Sequence, residues 1–186
     1  MGSDKGLLTY KTGTAWAIYL SNILASVCED VFISVRTAQK KNYSSYFPES
    51  KLVTDVIENI GPAGGIISSS RQFPERNLFI VSCDMILLDE PVITEIYNKY
   101  LASPGFDFYG FEIKGKIQPF PGIFTGNLLK NLTENIENYN YSLVKFLQDR
   151  YNMCSDGSYS TRLTGFNSMD ELEKCSGINL KKRMKD

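Results

Sequence analysis

Leu78-Phe79-Ile80-Val81-Ser82-Cys83-Asp84 opens with four consecutive apolar residues and ends on a carboxylate. Both faces of its period-two alternation are apolar, which fits a parallel strand covered by helices on either side. Two shorter runs repeat the pattern. Asp30–Arg36 (DVFISVR) reads as a buried strand that closes on Arg36, and KLVTD at 51–55 as another that closes on Asp55. Helical stretches separate them. Trp16, Tyr19, Leu20, Ile23, Leu24 and Val27 recur at helical spacing, which predicts a helix over 15–28 with its N-cap hydroxyl supplied from Thr12-Gly13-Thr14. A second helix is expected over about 90–101, with Asp89 as N-cap and Pro91 in its first turn. Gly61-Pro62-Ala63-Gly64-Gly65 reads as a turn before a helix that continues through IISSSRQ.

Beyond residue 104 the pattern changes. GFDFYGFEI, the turn KGKIQ and PFPGIFT predict an extended, more antiparallel region across 105–125. Helices over 126–137 and 142–151, a strand near 158–164 and a short helix capped by Ser168 complete the reading. Strands alternating with helices over 186 residues, without a linker or repeat, give one α/β domain across 1–186: three layers, doubly wound, with a mainly parallel sheet. The chain opens in a polar, glycine-containing loop that passes straight into a helix, so the first strand of such a sheet is expected to be missing.

Composition narrows the chemistry. There is no histidine, which removes Ser-His-Asp and Cys-His hydrolases, imidazole bases and His-ligated metals. Carboxylates, Lys/Arg, hydroxyls or an oxygen-bound metal must serve instead. Twenty Lys+Arg against 21 Asp+Glu leave a net charge of −1, which argues against a nucleic-acid partner. Four scattered cysteines without a C-x-x-C pair read as reduced thiols. MGSDKGLLTY lacks a signal-peptide core and no run of about 18 apolar residues occurs, so a cytoplasmic protein without a membrane partner is expected.

In open α/β sheets ligands bind beyond the carboxyl ends of the strands. Arg36, Asp55 and Asp84 all stand there. Each can serve a ligand or be a solvated loop residue, and the topological rule does not choose. Asp84 has the chemistry to hold Mg²⁺, which takes one or two carboxylates and completes its shell with phosphate oxygens and water. Gly61, Pro62, Gly64 and Gly65 would let backbone amides approach a phosphate or base edge closely, or form a plain turn. The aromatics of the first helix read as core, Cys83 as a buried strand thiol, and Lys181-Lys182-Arg183 as a solvated end.

Met1-Gly2-Ser3-Asp4-Lys5 resembles the end of the signature L-A-G-G-x-S-x-R-M-G-x-D-K, and Gly6-Leu7-Leu8 the G/A-L-L that follows it. DVFISVRTAQ is similar to the second strand of the same family, TDVIENIGPAGGI to its D-x(n)-G-P-L-A-G-I segment, and LFIVSCDMILL to its strand ending in C-D-M-P. PFPGIFTGNLLKNL resembles its P-L-P-A-x-Y segment, and GFNSMDELE its closing N-x-N-T-P-E-D-L. The family is that of the molybdenum cofactor guanylyltransferases, the MobA-like branch of the nucleotidyltransferases. Ile86, Gly165 and Met169 depart from its pattern, Met1 coincides with the methionine inside the signature, and the family's opening strand and L-A-G-G-x-S-x-R are expected to be missing. The resemblance implies a nucleotide-diphospho-sugar transferase-like fold and transfer of GMP from GTP to molybdenum-molybdopterin, with release of pyrophosphate. It also implies Mg²⁺ on Asp84, phosphate contacts from Lys5, guanosine orientation by Asp55 and the 61–65 turn with Arg36 nearby, and Asn167 on the pterin side. Other molybdenum-cofactor proteins are implied partners. A cytidylyltransferase, or a noncatalytic binding protein, is the alternative. Without the opening strand and loop, the resemblance implies two exposed sheet edges, marginal folding and weakened Mg·GTP binding.

Overall fold

The computed structural model describes residues 4–10, 13–57, 59–148, 150, 152–155, 159–168, 171–172 and 174. Its strands are β1 (Thr9–Tyr10), β2 (Thr14–Ala15), β3 (Ile33–Val35), β4 (Leu52–Thr54), β5 (Leu78–Ile80), β6 (Phe108–Ile113), β7 (Lys116–Phe124) and β8 (Asn152–Ser155). Its α-helices are α1 (Trp16–Leu24), α2 (Lys40–Tyr43), α3 (Pro62–Gln72), α4 (Glu90–Ala102), α5 (Gly126–Asn135) and α6 (Leu143–Gln148). Met1–Ser3, Thr12, Met169 and the Lys181-Lys182-Arg183 end lie outside the described residues.

The three layers follow from alternation along the strands. Leu78 and Ile80 of β5 face a cluster built on α3, α5 and α6, with Ile67, Leu129 and Phe146 at its centre. Phe79 and Val81 point to the opposite cluster, where Leu20 of α1 meets Val92, Ile93 and Ile96 of α4. In β6, Phe108 belongs to the first cluster and Tyr109 to the second. Phe111, two residues past Tyr109, also faces the second, as strand alternation requires. The order β5-β7-β6-β8 puts β7 antiparallel to both neighbours, while β6 and β8 are parallel. Three of these four strands therefore run one way, and the antiparallel element is the one expected between 105 and 125. β3 and β4 form a separate parallel pair.

Local corrections have local causes. Helix α1 is capped by Ala15 without a side-chain bond, because Thr14 pairs in β2 with Tyr10 instead of ending a turn. The 61–65 stretch is the first turn of α3 and not a loop: Gly61 is the N-cap at φ +64°, and Pro62 takes the first helical position, where its missing N–H costs nothing. Asp89 caps α4 by position only, since its carboxylate pairs with Arg162 at 3.1 Å. The strand expected near 158–164 lies earlier, at Asn152–Ser155, and Leu163 N–H bonds back to the Tyr159 carbonyl in a helical turn. Leu78, Phe79 and Ile80 are each only half-buried and Ser34 is exposed. The reason is pairing: among the described residues β5 bonds to β7 alone and β3 to β4 alone, so each has one side without a strand neighbour.

Candidate active site

The residues after β3 and β5 meet the segment before β1. Lys5 sits in a 3-10 turn, Lys5–Leu7, whose Gly6 packs beneath the Tyr43 hydroxyl with no room for a Cβ. The turn is fastened at both ends. Leu8 accepts a bond from Trp16 N–H at 2.9 Å, and the Asp4 carboxylate accepts from Gln39 Nε2 at 2.6 Å and Tyr43 Oη at 2.8 Å. Burial and the Asp4 carboxylate push the Tyr43 phenol up, so it donates as a neutral hydroxyl. Gln39 Oε1 in turn accepts from the Arg36 backbone N–H at 3.0 Å and Arg36 Nε at 3.2 Å. Arg36 therefore helps to hold the clamp on Asp4.

With its backbone fixed, Lys5 reaches across to the loop after β5. Its Nζ lies 3.3 Å from Asp84 Oδ2 and donates to Asn167 Oδ1 at 2.8 Å. Asp84 Oδ1 accepts from Ser82 Oγ at 2.7 Å, and the Asp84 carbonyl accepts from Phe166 N–H at 2.9 Å. The pair is partly open to solvent, with 34% of the Lys5 side chain and 24% of the Asp84 side chain exposed. Such a pair contributes little to stability. Its worth is a cation and a carboxylate held side by side at the mouth of the sheet. Neighbouring Cys83 is not the buried strand thiol expected, because β5 ends at Ile80 and the residue is exposed in the turn beyond it; it is no nucleophile either, since desolvation by the protein packed around it, then the Asp84 charge, push its thiol up to about 11.

A second cluster lies at the end of β4. Ser34 Oγ donates to Asp55 Oδ1 at 2.7 Å, and Gly65 of α3 lies so close that a Cβ there would stand 2.7 Å from Ser34 Oγ and 3.5 Å from Asp55 Oδ1. Gly64 approaches the Ile57 carbonyl in the same manner, at 2.6 Å from a would-be Cβ. Within the N-terminal turn of α3, Gly65 thus comes against Ser34 and Asp55, and Gly64 against the Ile57 carbonyl.

Of the residues expected from sequence, Lys5, Asp84 and Asn167 come together, and Asp55 joins the 61–65 stretch through Ser34. Arg36 reaches the first cluster through Gln39 and Asp4. Gln39, Tyr43, Ser34 and Ser82 were not foreseen. Gln39 and Tyr43 did leave a signal, since they lie four apart and so share one helical face.

Among the described residues no three acidic, cysteine or histidine side chains converge on one point. A divalent cation here would have Asp84 as its protein carboxylate and draw its other oxygens from phosphate and water. That donor set fits Mg²⁺.

A family model, the MobA-like NTP transferase domain, matches residues 1–152. A molybdenum cofactor biosynthesis bifunctional protein of Synechocystis is 30% identical over 128 residues, 68% of this chain and 34% of that protein. A Flavobacterium johnsoniae protein named probable molybdenum cofactor guanylyltransferase is 28% identical over 183 residues, 97% of this chain and 91% of that one. The crystal structure of molybdopterin-guanine dinucleotide biosynthesis protein A from Archaeoglobus fulgidus superposes with a TM-score of 0.71 at 17% identity, covering 97% of this chain and 92% of that one, which establishes the shared fold. On the family match and the fold together, this chain belongs to the MobA-like NTP transferase family.

Proposed function

We propose that this protein transfers GMP from GTP to the terminal phosphate of molybdenum-molybdopterin and releases pyrophosphate. The observation that carries the reading is the Lys5–Asp84–Asn167 cluster at the carboxyl ends of the strands, supported by relatives named for this activity. The attacking phosphate oxygen is already an anion, so the reaction needs no general base and a chain without histidine can carry it out. What remains is positioning and charge neutralisation.

Lys5 places a positive charge where negative charge grows on the α-phosphate and the leaving pyrophosphate, and the Asp4 clamp keeps it there. Asp84 would hold Mg²⁺, which supplies further charge neutralisation across the phosphates. Ser82 and Lys5 fix the direction of its carboxylate. Asp55 would face the base: a carboxylate steadied by Ser34 matches the adjacent N1–H and 2-amino donors of guanine, a pair that cytosine and adenine lack. The first turn of α3 would bring backbone close to the nucleoside. Asn167, bound to Lys5, would lie toward the pterin phosphate.

The test is calorimetric titration of Mg·GTP, Mg·CTP and Mg·ATP into the protein and into Asp55→Asn. GTP should bind tightest, and Asp55→Asn should erase most of its advantage. CTP preference in the parent protein would move the reading to cytidylyl transfer.

A further inference from the structure

Arg36 and Asp55 are neighbours of opposite charge that do not pair with each other. Strands β3 and β4 run parallel with Val35 opposite Thr54, and the Asp55 N–H donates to the Val35 carbonyl at 2.9 Å. Arg36 and Asp55 are the next residues of that register, with backbones roughly 4.8 Å apart at the usual strand spacing. Arg36 is still extended, at φ −70° and ψ 153°, so alternation returns it to the side of Ser34, where Asp55 meets the Ser34 hydroxyl.

Each charge is held by another group. Asp55 Oδ1 accepts from Ser34 Oγ at 2.7 Å, and Arg36 Nε donates to Gln39 Oε1 at 3.2 Å. Asp55 Oδ2 and both Arg36 Nη groups are left without a hydrogen bond or ion pair among the described residues. With Nε spent on Gln39, the planar guanidinium offers its Nη1–Nη2 end as a fork of donors. A phosphate drawn to that fork would come beside the Asp55 carboxylate and be repelled by it. A cation and an anion one strand apart suit a neutral group that presents acceptors and donors together. Guanine does so along one continuous edge, where N7 and O6 accept and N1–H and the 2-amino group donate; adenine and cytosine carry an amino donor where guanine has O6.

We infer that Arg36 is a specificity-determining residue for the nucleotide, its Nη1–Nη2 fork donating to guanine O6 and N7 while Asp55 accepts from N1–H and the 2-amino group. The inference rests on the guanylyl-transfer reading above and extends it from one side of the base to both.

Calorimetric titration of Mg·GTP, Mg·7-deaza-GTP, Mg·ITP and Mg·pyrophosphate into the parent and Arg36→Met tests it. 7-Deaza-GTP lacks the N7 acceptor, and ITP lacks the 2-amino donor. The parent should bind 7-deaza-GTP about tenfold more weakly than GTP, the worth of one hydrogen bond to a charged donor. Arg36→Met should lose at least about tenfold on GTP and bind GTP and 7-deaza-GTP within about twofold of each other. It should keep the parent's preference for GTP over ITP, because Asp55 is untouched. Pyrophosphate should bind both proteins alike, since the Arg36 backbone N–H still donates to Gln39 and the Asp4 clamp on Lys5 survives the substitution. Equal losses on GTP, 7-deaza-GTP and pyrophosphate would assign Arg36 to the clamp or to phosphate and overturn the inference. A parent that binds 7-deaza-GTP as tightly as GTP would also overturn it, and leaves the functional reading standing if GTP is still preferred to CTP and ATP. A parent that does not bind Mg·GTP, or that prefers CTP, would overturn both.

Discussion

Lys5 owes its position to residues that never touch a phosphate. Asp4 receives two hydrogen bonds, from Gln39 and Tyr43, and Gly6 lets the turn lie flat beneath Tyr43. Two predictions follow from this arrangement. Lys5→Ala should lower kcat on the order of 10²-fold at saturating GTP, the usual cost of removing one donor aimed at developing charge; an intact kcat with a raised KM would mean that Lys5 serves binding alone. Asp4→Ala should cost about 1–3 kcal/mol in a denaturation curve, because the hydroxyl of buried Tyr43 loses its acceptor. A third concerns Cys83. With its thiol raised to about 11 it is protonated at neutral pH, so alkylation followed by mass spectrometry should be slow at pH 7 and accelerate as the pH climbs toward 11. Fast modification at pH 7 would contradict the desolvation and the Asp84 charge given as its causes. At this scale the sequence was half legible. Lys5, Asp84 and Asn167 stood out because a linear pattern marks them. Gln39 and Tyr43 showed only a shared helical face, and their partner Asp4 lies 35 and 39 residues away, which no spacing announces.

Helix α3 shows how an element can be read in outline and misread in detail. The Gly-Pro-Ala-Gly-Gly composition signals a turn, yet Pro62 is suited to the first helical position and the helix starts there. Its two central glycines then serve different neighbours. Gly64 packs on the backbone carbonyl of Ile57, which cannot swing aside, whereas Gly65 packs on the Ser34 hydroxyl, which can. Gly64→Ala should therefore cost stability, about 1–3 kcal/mol from overpacking, and lower the melting temperature by several degrees. Gly65→Ala should melt close to the parent but bind GTP more weakly, because a displaced Ser34 releases Asp55. The reverse pattern in paired melts and titrations would detach Asp55 from the nucleoside. Strong periodicity made α1 and α4 legible, and apolar runs marked β3 and β5. The strand at Asn152–Ser155 was missed because NMCS carries neither alternation nor a β-branched residue.

Across the whole molecule, the loops after β3 and β5 meet at the Asp4–Lys5 segment, and the loop after β4 carries Asp55 against the start of α3. The class of fold was legible because βα alternation leaves few other arrangements. The half-exposure of Leu78–Ile80 could not be read from the apolar run, which reports what a strand can bury and says nothing of its neighbours; the expectation of an open edge came from the resemblance alone. Trp16, the single tryptophan, is fully buried against Ile86 and Phe166 behind the Asp84 loop, and its fluorescence reports whether that region is folded in any variant. With fold checked in this way, the central claim comes down to one assay. The protein is incubated with Mg²⁺, GTP labelled at the α-phosphate and molybdenum-molybdopterin, and the products are separated by chromatography. The account predicts that label moves onto the pterin with one pyrophosphate released per transfer, and that a folded Asp84→Asn variant leaves the label in GTP. Label that stays in GTP with the folded parent protein, or transfer undiminished in Asp84→Asn, would contradict it.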